Sequence, residues 1–258
     1  MTSKPRGYCV IINNRDFEEE DEIRKMSELD AKYLTNAFAY LGFDVRLHSN
    51  LTHTEMKDVL DDYSQRDDLK NHDAIVVIIM THGNEKHLRA IDGGYLTEDE
   101  ITSPFAADNC PALNRKPKMF FIQACRGEKD DEGVLRLPDS DDDDNSRFVH
   151  TTEVCDAQPF SVTNSTGRRR SSSLYDPSHG DMLISYATVS GYRAYRTVDA
   201  DHPSYLVQYA HEKKLRDILD NVYRDVSEME TEDGYKQAPT YENRGFHKNL
   251  YFNPGYYE

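Results

Sequence analysis

The 258-residue chain has no tryptophan and only four cysteines, Cys9, Cys110, Cys125 and Cys155. They are widely scattered, with no Cys-x-x-Cys pair to hold zinc and no density that a disulfide framework requires. That usage implies a reducing compartment, where a thiolate nucleophile survives. No apolar stretch approaches the roughly 20 residues of a membrane helix, so no membrane partner is expected. The opening Met1-Thr2-Ser3-Lys4-Pro5-Arg6 lacks the apolar region of a signal peptide, which reads as a cytoplasmic protein. A basic excess is missing as well. At a net charge of −16 the chain offers no phosphate-binding face, which argues against nucleic acid as a partner.

What is there is 37% hydrophobic and 30% charged, the composition of a globular protein with material for one large α/β domain or two small ones. The charge is uneven. From Glu128 to Asp156 there are 11 acidic and 3 basic residues, a net of −8, so half of the excess sits in one segment.

Short apolar, β-branched runs at Tyr8–Ile12, Phe43–Leu47, Ile75–Met80 and Met119–Ile122 read as strands buried on both faces. Leu29, Tyr33, Ala37, Tyr40 and Leu41 fall at helical spacing, and Gly42 follows as a C-terminal cap. Thr52 with Glu55 and Thr97 with Glu100 are capping-box signatures for two further helices. Strand and helix alternate, which predicts a mostly parallel sheet covered by helices. From Glu128 to about His179 the periodicity vanishes, as expected of a linker. It resumes at Met182–Ala187, at a helix carrying Leu215, Ile218, Leu219, Val222 and Val226, and at Lys248–Phe252, read as the last strand. Four strands thus precede the linker and two follow it.

Two of the apolar runs end in reactive residues. Met119–Ile122 leads into Gln123-Ala124-Cys125-Arg126-Gly127, and Ile75–Met80 leads into Thr81-His82-Gly83. Reactive groups in open α/β sheets collect at the carboxyl ends of strands, so His82 and Cys125 are expected to be neighbours. An imidazole beside a thiol favours the thiolate, the attacking species. Gly83 leaves a substrate carbonyl unobstructed, so its N–H and that of Cys125 are candidate oxyanion donors. His82, Glu85 and His87 lie close in sequence, but their spacing matches no helical zinc motif and no metal is expected.

Gln123-Ala124-Cys125-Arg126-Gly127, with a histidine upstream, matches the established caspase signature, in which that histidine lies roughly 50 residues before the cysteine. The chain resembles the family along almost its whole length. Arg6 to Asn14 is similar to the first strand, Leu29-Asp30-Ala31 to the start of the first helix, Gly191 to Arg196 to the substrate-binding loop, and Leu250-Tyr251-Phe252 to the last strand. The resemblance implies a caspase-like α/β sandwich, a sheet of about six mostly parallel strands flanked by helices. A cleavable linker would split it into a large part, 1–156, and a small part, 157–258, with the rest of the linker running to about 179.

The implied activity is an endopeptidase cutting after aspartate, with Cys125 as nucleophile, His82 as acid and base, and no cofactor. A pocket that desolvates a carboxylate needs charge-assisted hydrogen bonds, for which arginine forks are suited. Carried over, that pocket is Arg24, Gln123 and Arg196. Ala194-Tyr195, and later Ser204-Tyr205, stand where the family shows Ser-Trp. Tyr195 therefore gives a smaller aromatic wall with a polar rim, and the outer subsites are expected to differ. The linker then offers processing sites: Asp156 before Ala157 first, then Asp144 and Asp139. Arg168-Arg169-Arg170-Ser171-Ser172-Ser173 reads as polar linker that a basic-directed kinase could phosphorylate.

The family also implies protein substrates, a homodimer joined near Leu250-Tyr251-Phe252, and protein inhibitors or activating adaptors as partners. The chain begins almost at its first strand, so no recruitment domain is expected in it. The competing readings are a non-catalytic homologue acting as a regulator and a related protease cutting after basic residues. Intact His82, Gly83 and Cys125 oppose the first, and Arg24 and Arg196 oppose the second.

Overall fold

Seven consecutive buried residues, Gly7–Asn13, form strand β1, and a second fully buried run, Ala74–Met80, forms β3 beside it. Strands β2 (Asp44–Ser49), β6 (Lys118–Gln123), β7 (Met182–Tyr186) and β8 (Thr240–Arg244) complete a six-stranded sheet in the order β2-β1-β3-β6-β7-β8. All pairs are parallel except β7 with β8. Two three-residue strands, β4 (His87–Arg89) and β5 (Tyr95–Thr97), make a separate antiparallel hairpin. The computed structural model describes residues 1–18, 23–134, 176–195 and 213–256. The chain divides into two compact units, 1–133 with 177–258, and 134–176. The elements named here all belong to the first.

Because neighbouring side chains in a strand point to opposite faces, the apolar runs fill two cores. Tyr8, Val10, Ile12, Val77, Phe120 and Ile184 pack with Met56 and Leu60 of helix α2 (His53–Ser64) and Ile101 of helix α3 (Glu98–Thr102). Cys9, Ile11, Val76, Ile78, Met119 and Leu183 pack with Phe38 of helix α1 (Ser27–Tyr40) and Ile218 of helix α4 (Leu215–Glu228). Each such fully buried aliphatic side chain contributes about 1.5–3 kcal/mol. Both capping boxes form, Thr52 with Glu55 and Thr97 with Glu100. The Thr97 backbone N–H, followed by Lys57, holds the Glu100 carboxyl down to about 2. Gly42 ends α1 at φ 89, the left-handed conformation that glycine adopts without steric cost.

Two strand expectations are corrected. The final strand is Thr240–Arg244, not Lys248–Phe252. Leu250 and Phe252 are buried in the core under α1 and α4 while Tyr251 is 41% exposed, and the segment hydrogen-bonds to α4 through Leu215 N–H to the Leu250 carbonyl instead of to a strand. Strand β2 is an edge strand rather than one buried on both faces, with Arg46, Leu47 and Ser49 exposed.

Just before β3, His72 is 7% exposed, its ring 5.0 Å from that of Tyr8 on β1, and its Nδ1 has no hydrogen-bond partner among the described residues. Burial lowers its pKa from 6.5, and the same cause lowers that of His48. Both are therefore held neutral, and the unfolded chain takes up protons first as the pH falls. The stability they contribute is present above about pH 6.5 and is lost below it. Melting temperature is expected to drop between pH 7.5 and 5, and His72→Phe to flatten that slope. An unchanged slope in the variant would remove His72 from the account.

Candidate active site

Strands β3 and β6 lie side by side with Met80 opposite Gln123, and the Thr81 N–H donates to the Gln123 carbonyl at 3.2 Å, extending the ladder by one bond. Two residues beyond that pair on each strand stand His82 and Cys125. Gly83 lies so close to the second chain that a Cβ there would meet the Cys125 carbonyl oxygen at 2.9 Å and the Ala124 Cβ at 3.2 Å. Only glycine fits without displacement. The hairpin fixes the histidine loop: Arg89 N–H donates to the His82 carbonyl at 2.8 Å, and Thr81 Oγ1 donates to the Arg89 carbonyl at 2.6 Å.

Cys125 is half-buried, and the Ala194 N–H donates to its Sγ at 3.4 Å. Cys9 and Cys110 are buried instead, and burial pushes both thiols up, away from the reactive thiolate. What brings residue 194 to residue 125 is a short backbone seam. Arg126 N–H donates to the Tyr192 carbonyl at 2.9 Å, Gly191 N–H to Arg126 at 2.7 Å, and Arg193 N–H to Lys129 at 2.9 Å. The two chains cross at Gly127, where a Cβ would meet the Gly191 carbonyl at 2.2 Å. On its inner side, the Arg126 guanidinium lies over the Tyr186 ring at 4.0 Å.

A cleft of about 390 Å³ joins these parts: Arg24, His82, Gln123, Cys125, Ala194 and Tyr195 all line it. Arg24 is half-buried, and its Nη1 donates to the Asn14 carbonyl at 3.0 Å and to Asn13 Oδ1 at 3.3 Å, which moors the guanidinium to the end of β1. Tyr195 is held from three directions. Its N–H donates to Gln237 Oε1 at 2.5 Å, its ring stacks on Tyr235 at 6.0 Å, and its hydroxyl donates to Asp130. Burial and then Asp130 push that hydroxyl's pKa up. The polar rim expected of Tyr195 is thus already engaged by Asp130.

Arg196, the processing candidates Asp156, Asp144 and Asp139, Ser204-Tyr205 and the Ser171–Ser173 run lie outside the described residues. Asp130, Gln237 and Tyr235 carry no local sequence signal, since their part depends on long-range pairing. Phe17, whose ring centre is 4.7 Å from that of His82, is equally silent in sequence. Among the described residues no helix is long and apolar enough to cross a membrane.

A family profile described as Caspase domain matches residues 6–251. Caspase Dronc of Drosophila melanogaster is 28% identical over 98% of this chain and 56% of its own length. Caspase-8 of Mus musculus is 34% identical over 76% of this chain and 39% of its own. The crystal structure of caspase-1 from Spodoptera frugiperda superposes with a TM-score of 0.73 at 25% identity, covering 97% of this chain and 92% of that one. The chain spans about half the length of the curated relatives it matches.

Proposed function

Since this chain belongs to the caspase family of cysteine peptidases, we propose that it is an endopeptidase that hydrolyses proteins after aspartate. The observation that carries this reading is a single cleft lined by Cys125, His82, Arg24 and Gln123 together. The Cys125 thiolate attacks the carbonyl carbon, and the C–N bond breaks as the amine takes a proton from the His82 imidazolium. Water, giving a proton to His82, then attacks the thioester, and the C–S bond breaks to release the acid and return the Cys125 thiolate beside the His82 imidazolium. The N–H groups of Gly83 and Cys125 hold the oxyanion, each such donor being worth roughly 3–4 kcal/mol in the transition state.

Arg24 and Gln123, with Arg196, bind the substrate carboxylate. Ala194 and Tyr195 line the preceding subsite, with Tyr195 presenting its ring rather than its occupied hydroxyl. The enzyme is a cytoplasmic zymogen of cell-death or related signalling, cut by its own specificity at Asp156, Asp144 or Asp139 into parts near 1–156 and 157–258. Inhibitors and activating adaptors act on it, and it works as a homodimer. The dimer contact expected through the last strand belongs to β8, the open sheet edge next to β7.

Fluorogenic tetrapeptides test the specificity, because a site built to hydrogen-bond a group rejects analogues lacking it. Aspartate at the cut position is expected to exceed asparagine and arginine by at least about 10³ in kcat/KM. Absence of cleavage of the aspartyl peptides would favour the regulator, and equal cleavage of arginyl peptides the basic-directed protease. Varying the preceding position then reads out Tyr195.

A further inference from the structure

Phe17 is 5% exposed, yet it belongs to neither of the two cores that the sheet organises. A buried phenyl ring in a loop has other partners, and here they are the site itself. Its ring centre lies 4.7 Å from the His82 imidazole at 56° between planes, and the Arg89 guanidinium carbon lies 5.4 Å from it. Aromatic pairs gain from tilted contact at about 4.5–7 Å between centres. We propose that Phe17 is a positioning residue for the His82 ring, a reading that rests on His82 being the acid and base of the proposed peptidase.

The need for such a residue follows from how His82 is mounted. The hairpin fixes its main chain through the Arg89 N–H, and contacts made by the ring itself set the side-chain torsions. The imidazole shares its cleft with Cys125, and a displacement of about 1 Å can cost roughly hundredfold in rate. Phe17 walls one side of the ring. Its own loop is pinned behind it: the N–H groups of Arg15 and Asp16 donate to Asn50 Oδ1 at 2.9 and 3.0 Å, and Asn50 Nδ2 donates to the Asp16 carboxylate at 2.6 Å. Asn50 sits at φ 56, a left-handed conformation asparagine tolerates. Asn50, at the end of β2, thus anchors the loop that places a ring against the site two strands away.

The test compares wild type, Phe17→Leu, Phe17→Tyr and His82→Gln, each checked for folding by circular dichroism. Phe17→Leu keeps apolar bulk and is expected to lower kcat on an aspartyl peptide by about tenfold to hundredfold, with KM within about twofold of wild type. Phe17→Tyr restores a ring and recovers most of the loss. A rise in KM at constant kcat, or equal effects of Leu and Tyr, overturns the inference. Two readouts do not depend on aspartate specificity. The Cys125 alkylation rate by iodoacetamide, read by mass spectrometry, is expected to fall in Phe17→Leu toward that of His82→Gln. In the NMR spectrum of histidine-labelled Cys125→Ala protein, the His82 ring proton, assigned by its loss in His82→Gln, is expected to lose its ring-current shift with Phe17→Leu. Aspartyl peptides left uncut while these two signals move would refute the substrate reading alone. Unmoved signals refute the positioning role whatever the substrate.

Discussion

Cys125→Ala protein is expected to hydrolyse aspartyl peptides at least about 10⁴-fold more slowly than wild type, because the residual oxyanion and binding contributions cannot replace a nucleophile. The same substitution is expected to leave the chain whole. On a denaturing gel, purified wild type separates into two fragments, near 1–156 and 157–258 if Asp156 is the cut, and Cys125→Ala runs as one band. Identical bands from the two proteins would sink self-processing even where peptide hydrolysis is lost. Among the described residues the two other thiols, Cys9 and Cys110, are buried and pushed away from the thiolate. The fold is expected to tolerate the change, because half-buried Cys125 stands beyond the end of β6 and outside both cores.

Much of this arrangement is legible in the sequence where the physics is local. Ile75–Met80 and Met119–Ile122 announce buried parallel strands by unbroken apolar runs, and the capping boxes at Thr52 and Thr97 place two helix starts to the residue. His82 and Cys125 line one cleft because each follows such a run at the same end, so their sharing of it follows from topology. The last strand escapes the same logic. Thr240–Arg244 reads Thr-Tyr-Glu-Asn-Arg, polar enough for an edge strand, whereas Leu250-Tyr251-Phe252 alternates in burial like a strand but does so by plugging the core from irregular chain. Alternation reports which side chains are buried, and only a pairing partner makes a strand. The walls of the cleft are still less legible. Asp130 and Gln237 reach Tyr195 across 65 and 42 residues, and nothing in their immediate neighbours announces those bonds.

The seam between 126–129 and 191–193 joins the two kinds of information, because it ties the proposed nucleophile to the proposed substrate-binding loop. It also sits on either side of the segment proposed to be cut, so under that proposal the aligned wall depends on pairing between the two fragments rather than on the intact peptide chain. Steady activity after processing therefore requires that the seam survive on its own hydrogen bonds and on the packing of Arg126 against Tyr186.

Gly127→Ala strikes that seam where it has no slack. The new methyl would stand 2.2 Å from the Gly191 carbonyl and 2.5 Å from its Cα, and both obstacles are backbone, which cannot swing aside as a flexible side chain would. Relief requires that 191–195 move away from 126–129. The bonds from Arg126 to Tyr192 and from Gly191 to Arg126 then break, and Ala194 and Tyr195 leave the side of Cys125. A kcat/KM loss of roughly hundredfold or more on aspartyl peptides is expected, in line with the cost of misplacing reacting groups by about 1 Å. The six-stranded sheet lies outside the seam, so far-UV circular dichroism is expected to be unchanged and melting to shift by only a few degrees. Alkylation of Cys125 by iodoacetamide separates the causes: it is expected to fall only a fewfold, because Sγ loses the Ala194 N–H while His82 and Cys125 stay where the ends of β3 and β6 place them. Wild-type kcat/KM in this variant would show that the seam does not align the cleft. A parallel collapse of alkylation would show instead that the nucleophile depends on the loop for more than substrate placement.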